Sequence, residues 1–69
     1  MIEALIARRL RARRRELKLT QSALAEAAGV TFQQIQKYES GQNRISASTL
    51  CRLAKRLEVP IAYFFEELS

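Results

Sequence analysis

The chain has 69 residues, 48% of them hydrophobic, and its 12 Lys and Arg against seven Asp and Glu give a net charge of +5. A chain this short encloses one modest core, so we expect residues 1–69 to form a single domain without a separate catalytic unit. One cysteine and no histidine exclude an internal disulfide and the usual Cys/His zinc site, while the positive charge favours a polyanionic partner such as nucleic acid.

The first predicted helix, over residues 2–17, is amphipathic and strongly basic. Four cations in it or just after it share one outer face at helical spacing: Arg8, Arg11, Arg15 and Lys18. Such a charge run is most often a solvated face that steers ligands at long range, and we favour that interpretation over a supplementary phosphate contact. Arg13 falls inside the apolar stripe, so we expect its stem to lie inward and its guanidinium to reach solvent.

Two short predicted helices follow, with a tight turn between them. Thr20 is a good N-cap for the second helix, and Gly29 closes it. Thr31 and Gln34 have the Thr-x-x-Gln spacing of a capping box, which begins a third helix that runs to about Ser40. Two short helices joined by a turn of three to four residues that contains glycine are what a helix-turn-helix requires.

The third predicted helix has one apolar and one polar side. Ile35 and Tyr38 point one way, and four polar residues point the other: Gln33, Gln36, Lys37 and Ser40. A Gln side chain can form two hydrogen bonds with adenine, to N6 and N7, and a Lys side chain can reach the O6 and N7 acceptors of guanine. Gln and Lys are also ordinary surface helix formers, which explains the strip equally well by composition alone. The glycine turn and the basic charge favour the base-reading interpretation.

Two further helices complete the predicted fold. Ser46 can cap a fourth helix with a buried apolar spacing that extends to Leu57, and we expect Cys51 within it to be a small, partly buried hydrophobe. Pro60 ends this pattern, and a short fifth helix repeats the apolar spacing. An apolar stripe on a terminal helix needs cover from the core or from a partner, so we expect it to feed the core in part and to form a dimer interface through Ile61, Phe64, Phe65 and Leu68.

Several stretches together resemble the Cro/repressor family, the XRE type of helix-turn-helix protein. They are LTQSALA from Leu19, GVT from Gly29, IQKYESG from Ile35 and RIS from Arg44, followed by Leu50, Leu53, Ala54 and Leu57. The resemblance covers nearly the whole chain. It implies a compact all-α fold of five helices of the lambda-repressor type, and a cytoplasmic transcriptional regulator, most often a repressor. Such proteins read a pseudo-palindromic operator in double-stranded DNA as homodimers, with the third helix in the major groove.

The resemblance also implies a role for individual residues. Base reading falls to Thr31, Phe32, Gln33, Gln36 and Lys37. Phosphate binding falls to Gln21, Ser40, Gln42, Asn43 and Arg44, with Arg44 the strongest candidate. A structural ion pair joins Arg14 to Glu39. Phe32 stands where phage repressors have a polar residue, and it can touch a thymine methyl group or pack sideways against the protein.

We do not expect catalysis. Without histidine no Ser, Cys or carboxylate has the usual activating base, and two glycines do not make a phosphate-binding loop. No cofactor, metal or small-molecule substrate is therefore expected. A second function class is a protein-interaction module on the same fold, such as an antitoxin-like or adaptor domain. A membrane-surface role for the first helix ranks lower, because its apolar stripe lacks Trp and Phe, and no segment has the ~20 apolar residues of a membrane span.

Overall fold

Five helices make up the fold in the computed structural model, which describes the backbone of residues 2–68 and the side chains of residues 2–66. Four are α-helices and the last is a 3₁₀ helix: α1 (Ile2–Glu16), α2 (Gln21–Ala28), α3 (Phe32–Glu39), α4 (Ala47–Leu57) and the C-terminal 3₁₀ helix (Ile61–Leu68). The described backbone contains no strand. The expected all-α fold of five helices is confirmed, with a tighter last helix. Over residues 2–68, no helix combines the length and the apolar character needed to cross a bilayer.

Hydroxyl side chains begin the three middle helices, as predicted. Thr20 and Ser46 each accept, through the side-chain oxygen, the amide of the residue three positions later, at 3.0 and 3.2 Å. At α3 the bonds are reciprocal, because Thr31 Oγ1 accepts from Gln34 N at 3.1 Å and Gln34 Oε1 accepts from Thr31 N at 2.8 Å. Each cap satisfies an amide that a helix start leaves unpaired, which contributes about 1 kcal/mol.

The turn between α2 and α3 depends on Gly29. Its φ of +70° lies in the left-handed region, which costs a residue with a Cβ about 1–2 kcal/mol. The amides of Gly29 and Val30 return to the carbonyls of Glu26 and Ala25, at 3.3 and 3.0 Å, and so complete the end of α2. The predicted stop at Gly29 is confirmed. Glu58 ends α4 in the same left-handed conformation, with φ +59°, although its residue type carries no signal for it.

One core joins the helices. α2 packs against α3 and α4, while α1 packs against α3 and the 3₁₀ helix, which also contacts α4. The largest fully buried side chains come from every helix: Leu10, Leu24, Ile35, Leu53, Leu57 and Phe64. Because α1 and α2 hold α3 along one side, its opposite side faces solvent.

The C-terminal residues and Cys51 differ from the sequence-based expectations. Phe64 is fully buried in the core of its own chain, so we withdraw it as a residue offered to a partner. Phe65 is half-buried, Ile61 is 40% exposed, and the Leu68 side chain lies outside the described residues. Cys51 is exposed, so its expected partial burial is wrong. The residue before it, Leu50, faces the core, and the 100° step along the helix turns Cys51 away.

Three arginines bind backbone carbonyls of other helices. In each, Nε donates at 2.9–3.0 Å: Arg9 to Tyr63, Arg13 to Leu57 and Arg52 to Ala28. Leu57 and Ala28 are the last residues of α4 and α2, where carbonyls lack partners within the helix. We expected the Arg13 guanidinium to reach solvent. Instead, its bond to the Leu57 carbonyl links α1 to the end of α4.

The Arg9 side chain also fastens the 3₁₀ helix to α1 by two further contacts. Its guanidinium carbon lies 3.9 Å from the centre of the Tyr63 ring, and its Nη2 forms an ion pair with Glu66. In return the Tyr63 hydroxyl donates to the Arg9 carbonyl at 3.2 Å. These contacts orient the 3₁₀ helix so that neighbouring Phe64 enters the core.

Candidate nucleic-acid interface

The outward side of α3 carries the polar strip expected from the sequence. Ile35 and Tyr38 are buried, which fixes the rotation of the helix about its axis. The strip then borders one shallow hollow of about 340 Å³, here named the α3 cleft, which is lined by Gln33, Gln36, Lys37, Ser40 and Gln42. Three expected base readers and two expected phosphate binders thus lie side by side on an exposed surface.

Thr31 and Phe32 lie at the start of α3, and both are exposed. The Thr31 hydroxyl oxygen accepts a bond in the capping box, which leaves its hydrogen able to donate outward. Phe32 is 40% exposed, so part of its ring is accessible to a thymine methyl group while the rest is covered by its own chain. Both interpretations of Phe32 therefore stay open.

Arg14, Glu39 and Gln21 form a hydrogen-bonded network that joins α1, α3 and the start of α2. Arg14 Nε donates to Glu39 Oε2 at 2.6 Å, and Arg14 Nη2 donates to Glu39 Oε1 at 3.0 Å. Gln21 Nε2 donates to the same Oε1 at 3.1 Å. The side chains of Arg14 and Glu39 are only 11% and 4% exposed. A bidentate pair this well shielded from water is stronger than a surface ion pair, and it fixes α3 against α1.

Asn43 and Arg44 lie apart from the α3 cleft. They border a separate hollow of about 120 Å³, together with Glu3 and Tyr38. Arg44 Nε lies 3.4 Å from Glu3 Oε2, but the Arg44 side chain is almost fully exposed. Such a pair contributes little to stability, so the guanidinium can leave Glu3 for another anion. The structure thus divides four of the expected phosphate binders between two places, Ser40 and Gln42 at the α3 cleft and Asn43 and Arg44 at this second hollow.

A groove between α1 and α3 contains two arginines to which we assigned no contact. This α1–α3 groove has a volume of about 400 Å³ and is lined by Arg11, Arg14, Arg15, Gln21, Gln36, Glu39 and Ser40. Arg11 and Arg15 therefore adjoin the α3 surface, and both are exposed, as expected for a solvated face. The alternative of a supplementary phosphate contact stays open. The available signal for their place beside α3 was their position beside Arg14, three residues before and one after, which puts all three within about 100° on the helix.

Comparison with known proteins is consistent with this geometry. Residues 10–64 match the family described as Helix-turn-helix. A relative from Rhodospirillum rubrum, named as an uncharacterized transcriptional regulator in the ATPase CF(0) region, is 57% identical over 99% of this chain and 63% of its own length. The chain thus covers 63% of this relative and only 46–54%, about half, of the length of the other curated relatives it matches.

Two solved structures share the fold. The clp gene regulator ClgR of Corynebacterium glutamicum has a TM-score of 0.93 at 24% identity, over 97% of this chain and 71% of that one. The P22 c2 repressor, solved with a synthetic operator, has a TM-score of 0.81 at 32% identity, over 86% of this chain and 89% of its own. The resemblance read from the sequence is confirmed. Because the family match includes both short helices and the glycine turn between them, this chain belongs to the helix-turn-helix family.

Proposed function

We propose that these 69 residues form one DNA-binding domain of a transcriptional regulator, with the exposed side of α3 in the major groove of an operator. The α3 cleft carries this proposal, because it gathers Gln and Lys side chains on the side of α3 that the core leaves open. The major groove is about 12 Å wide and admits an α-helix, and these side chain types match the base edges displayed there. The likeness to a repressor solved with operator DNA supports the proposal.

Within this proposal the exposed side chains have two kinds of task. Those at the start and middle of α3 read bases: Thr31, Phe32, Gln33, Gln36 and Lys37. Those around it hold the phosphate backbone: Gln21, Ser40, Gln42, Asn43 and Arg44. The Phe32 ring offers an apolar contact for a thymine methyl group. Arg14 and Glu39 touch no DNA base and instead hold α3 at its angle.

We further propose that the regulator is a cytoplasmic repressor that acts by occupying its operator. A domain that works by binding needs no catalytic step, and we assign none. The partner is double-stranded DNA with two related half-sites, because two copies of one domain present two recognition helices. Binding of a partner protein through the same surface is the competing function, and the salt dependence of DNA binding separates the two.

We expect Gln33→Ala and Gln36→Ala each to weaken binding to the preferred DNA site by about 1–3 kcal/mol and to relax preference at one base pair. A lost bidentate contact affects only the base that it reads, so weak nonspecific binding should remain. The measurement selects sites from a random DNA pool, then titrates each variant against the selected site and its single-base variants at several salt concentrations.

Lys37 offers a matched control for the same titration. Lys37→Ala should lose affinity and base preference, whereas Lys55→Ala removes the same side chain from the exposed side of α4 and should leave base preference intact. If Gln33→Ala and Gln36→Ala both preserve the base preference, α3 is not the reading helix. If the affinity of the wild-type protein for DNA does not depend on salt concentration, the protein-interaction function is favoured instead.

We also propose a homodimer through the C-terminal helix, supported by the exposed Ile61 and the half-buried Phe65. Ile61→Glu should weaken dimer association by at least about tenfold, because an interface that buries a carboxylate loses more than 1.4 kcal/mol. Ile2→Glu is the matched control, since Ile2 is 50% exposed on α1 and outside the proposed interface. Light scattering at high micromolar concentration, with and without DNA, measures the effect. A wild-type monomer under both conditions would contradict the dimer.

A further inference from the structure

The α1–α3 groove has a charge that its own residues do not balance. Three of its lining side chains are arginines and one is a carboxylate. Glu39 is already taken up by Arg14, which donates two hydrogen bonds to it, and by Gln21. Arg11 and Arg15 form no ion pair with any carboxylate among the described side chains, so the groove presents about two uncompensated positive charges.

Arg11 and Arg15 are also placed to act together. They lie four residues apart on α1, hence one turn apart on one face, and both are exposed. Like charges at this spacing repel one another in the free protein. An anion between or beside them attracts both guanidinium groups and so offsets that repulsion, and the pair therefore favours a bound negative group.

The other wall of the groove indicates which anion this is. Gln36 and Ser40 on α3 line the α1–α3 groove and also line the α3 cleft, so the two hollows share an edge. Gln21 at the start of α2 adds an amide to the same groove. An anion held there lies directly beside bases that α3 reads, as the sugar–phosphate strand at the rim of the major groove does.

We infer that Arg11 and Arg15 bind DNA phosphates on the strand that flanks α3. This inference rests on the proposed function and adds α1 to the DNA-binding surface. The basic side of α1 then fixes the register of α3 along the duplex, because phosphate contacts position a protein without reading sequence. Arg11 and Arg15 supply charge, while Arg14 between them supplies structural support through Glu39.

The test compares two double variants of equal charge on the selected duplex. Arg11→Gln/Arg15→Gln removes the groove cations, and Lys55→Gln/Arg56→Gln removes two exposed cations from α4. Affinity is measured over a range of salt concentrations, and thermal unfolding checks that both variants fold. The groove variant should reduce the log–log salt slope by about 1.8, or about 0.9 per lost contact, with base preference unchanged. The α4 variant loses the same net charge, and hence the same long-range attraction to DNA, but it loses no phosphate contact. It should therefore keep the wild-type slope.

Phosphate ethylation locates the contacts. The phosphates of the selected site are ethylated one at a time. At some positions ethylation should weaken binding of the wild type but leave binding of the groove variant unchanged. Equal salt slopes for the two double variants, or identical ethylation patterns in wild type and groove variant, would overturn the inference while leaving α3 as the reading helix. Wild-type protein with no salt-dependent DNA binding would overturn the inference and the proposed function together.

Discussion

Glu39→Ala should lower the free energy of unfolding by about 3–5 kcal/mol, since it leaves the Arg14 guanidinium shielded from water without its carboxylate partner. The variant also removes the acceptor of the Gln21 amide. Small domains are stable by only about 5–15 kcal/mol, so a large share of the total is lost. Arg14→Ala should cost a similar amount, because Glu39 is the more buried partner. Urea denaturation followed by circular dichroism measures both.

A double-mutant cycle separates the pair from its surroundings. Removing both partners should cost about 1–3 kcal/mol less than the sum of the single losses, since no unpaired charge remains. Arg13 and Glu16 form the matched control, an ion pair at 3.2 Å within α1 with Glu16 61% exposed, and their coupling should stay below about 0.5 kcal/mol. Strictly additive losses for Arg14 and Glu39 would show that their contact does not stabilise the fold.

Phe64→Ala should cost about 3–5 kcal/mol, because the ring is fully buried where the 3₁₀ helix meets α1 and α4. Phe32→Ala makes the same chemical change at a side chain that is 40% exposed, and it should cost less than about 1 kcal/mol. Phe64→Leu retains most of the apolar contact and gives a folded variant should the alanine variant fail to fold. Thermal unfolding at a fixed protein concentration compares the three.

The stability of the Phe64→Ala variant also tests whether Phe64 lies in the core or in the dimer interface. A core residue stabilises the chain at any concentration, whereas an interface residue stabilises it only where dimers form. If the comparison is repeated with diluted protein and the loss for Phe64→Ala vanishes, Phe64 belongs to the interface and not to the core. The expected result leaves Ile61 and Phe65 to contact a partner.

The local features of the fold could be predicted from sequence because they act over a few residues. Thr31 and Gln34 bond each other's backbone within one helical turn, and Gly29 supplies a conformation that its own lack of a Cβ permits. Ile35 and Tyr38 could be assigned to the core from helical spacing alone. These signals were enough to orient α3, and with it the polar strip.

Some features that depend on packing between helices were missed, whereas the Arg14–Glu39 pair between α1 and α3 was expected through the family resemblance. The sequence shows that Phe64 is apolar, but whether it meets its own core or a partner depends on how the 3₁₀ helix docks through Arg9 and Tyr63. The same limit applies to Arg11 and Arg15, whose neighbours on α3 follow from the α1–α3 contact. Glu58 adopts a left-handed conformation that its residue type disfavours, because the end of α4 requires it.

Arginines in this chain serve the fold and the proposed DNA contact separately, which affects how such a regulator can evolve. Arg9, Arg13 and Arg52 are committed to carbonyls of other helices, and even a lysine there would lose the directed Nε bond. Arg11 and Arg15 carry no such duty, so mutation can add or remove charge there at little cost to folding. Selection can therefore adjust operator occupancy in small steps while the scaffold stays unchanged, and descendants of one ancestor can diverge in affinity before they diverge in the sequence they recognise.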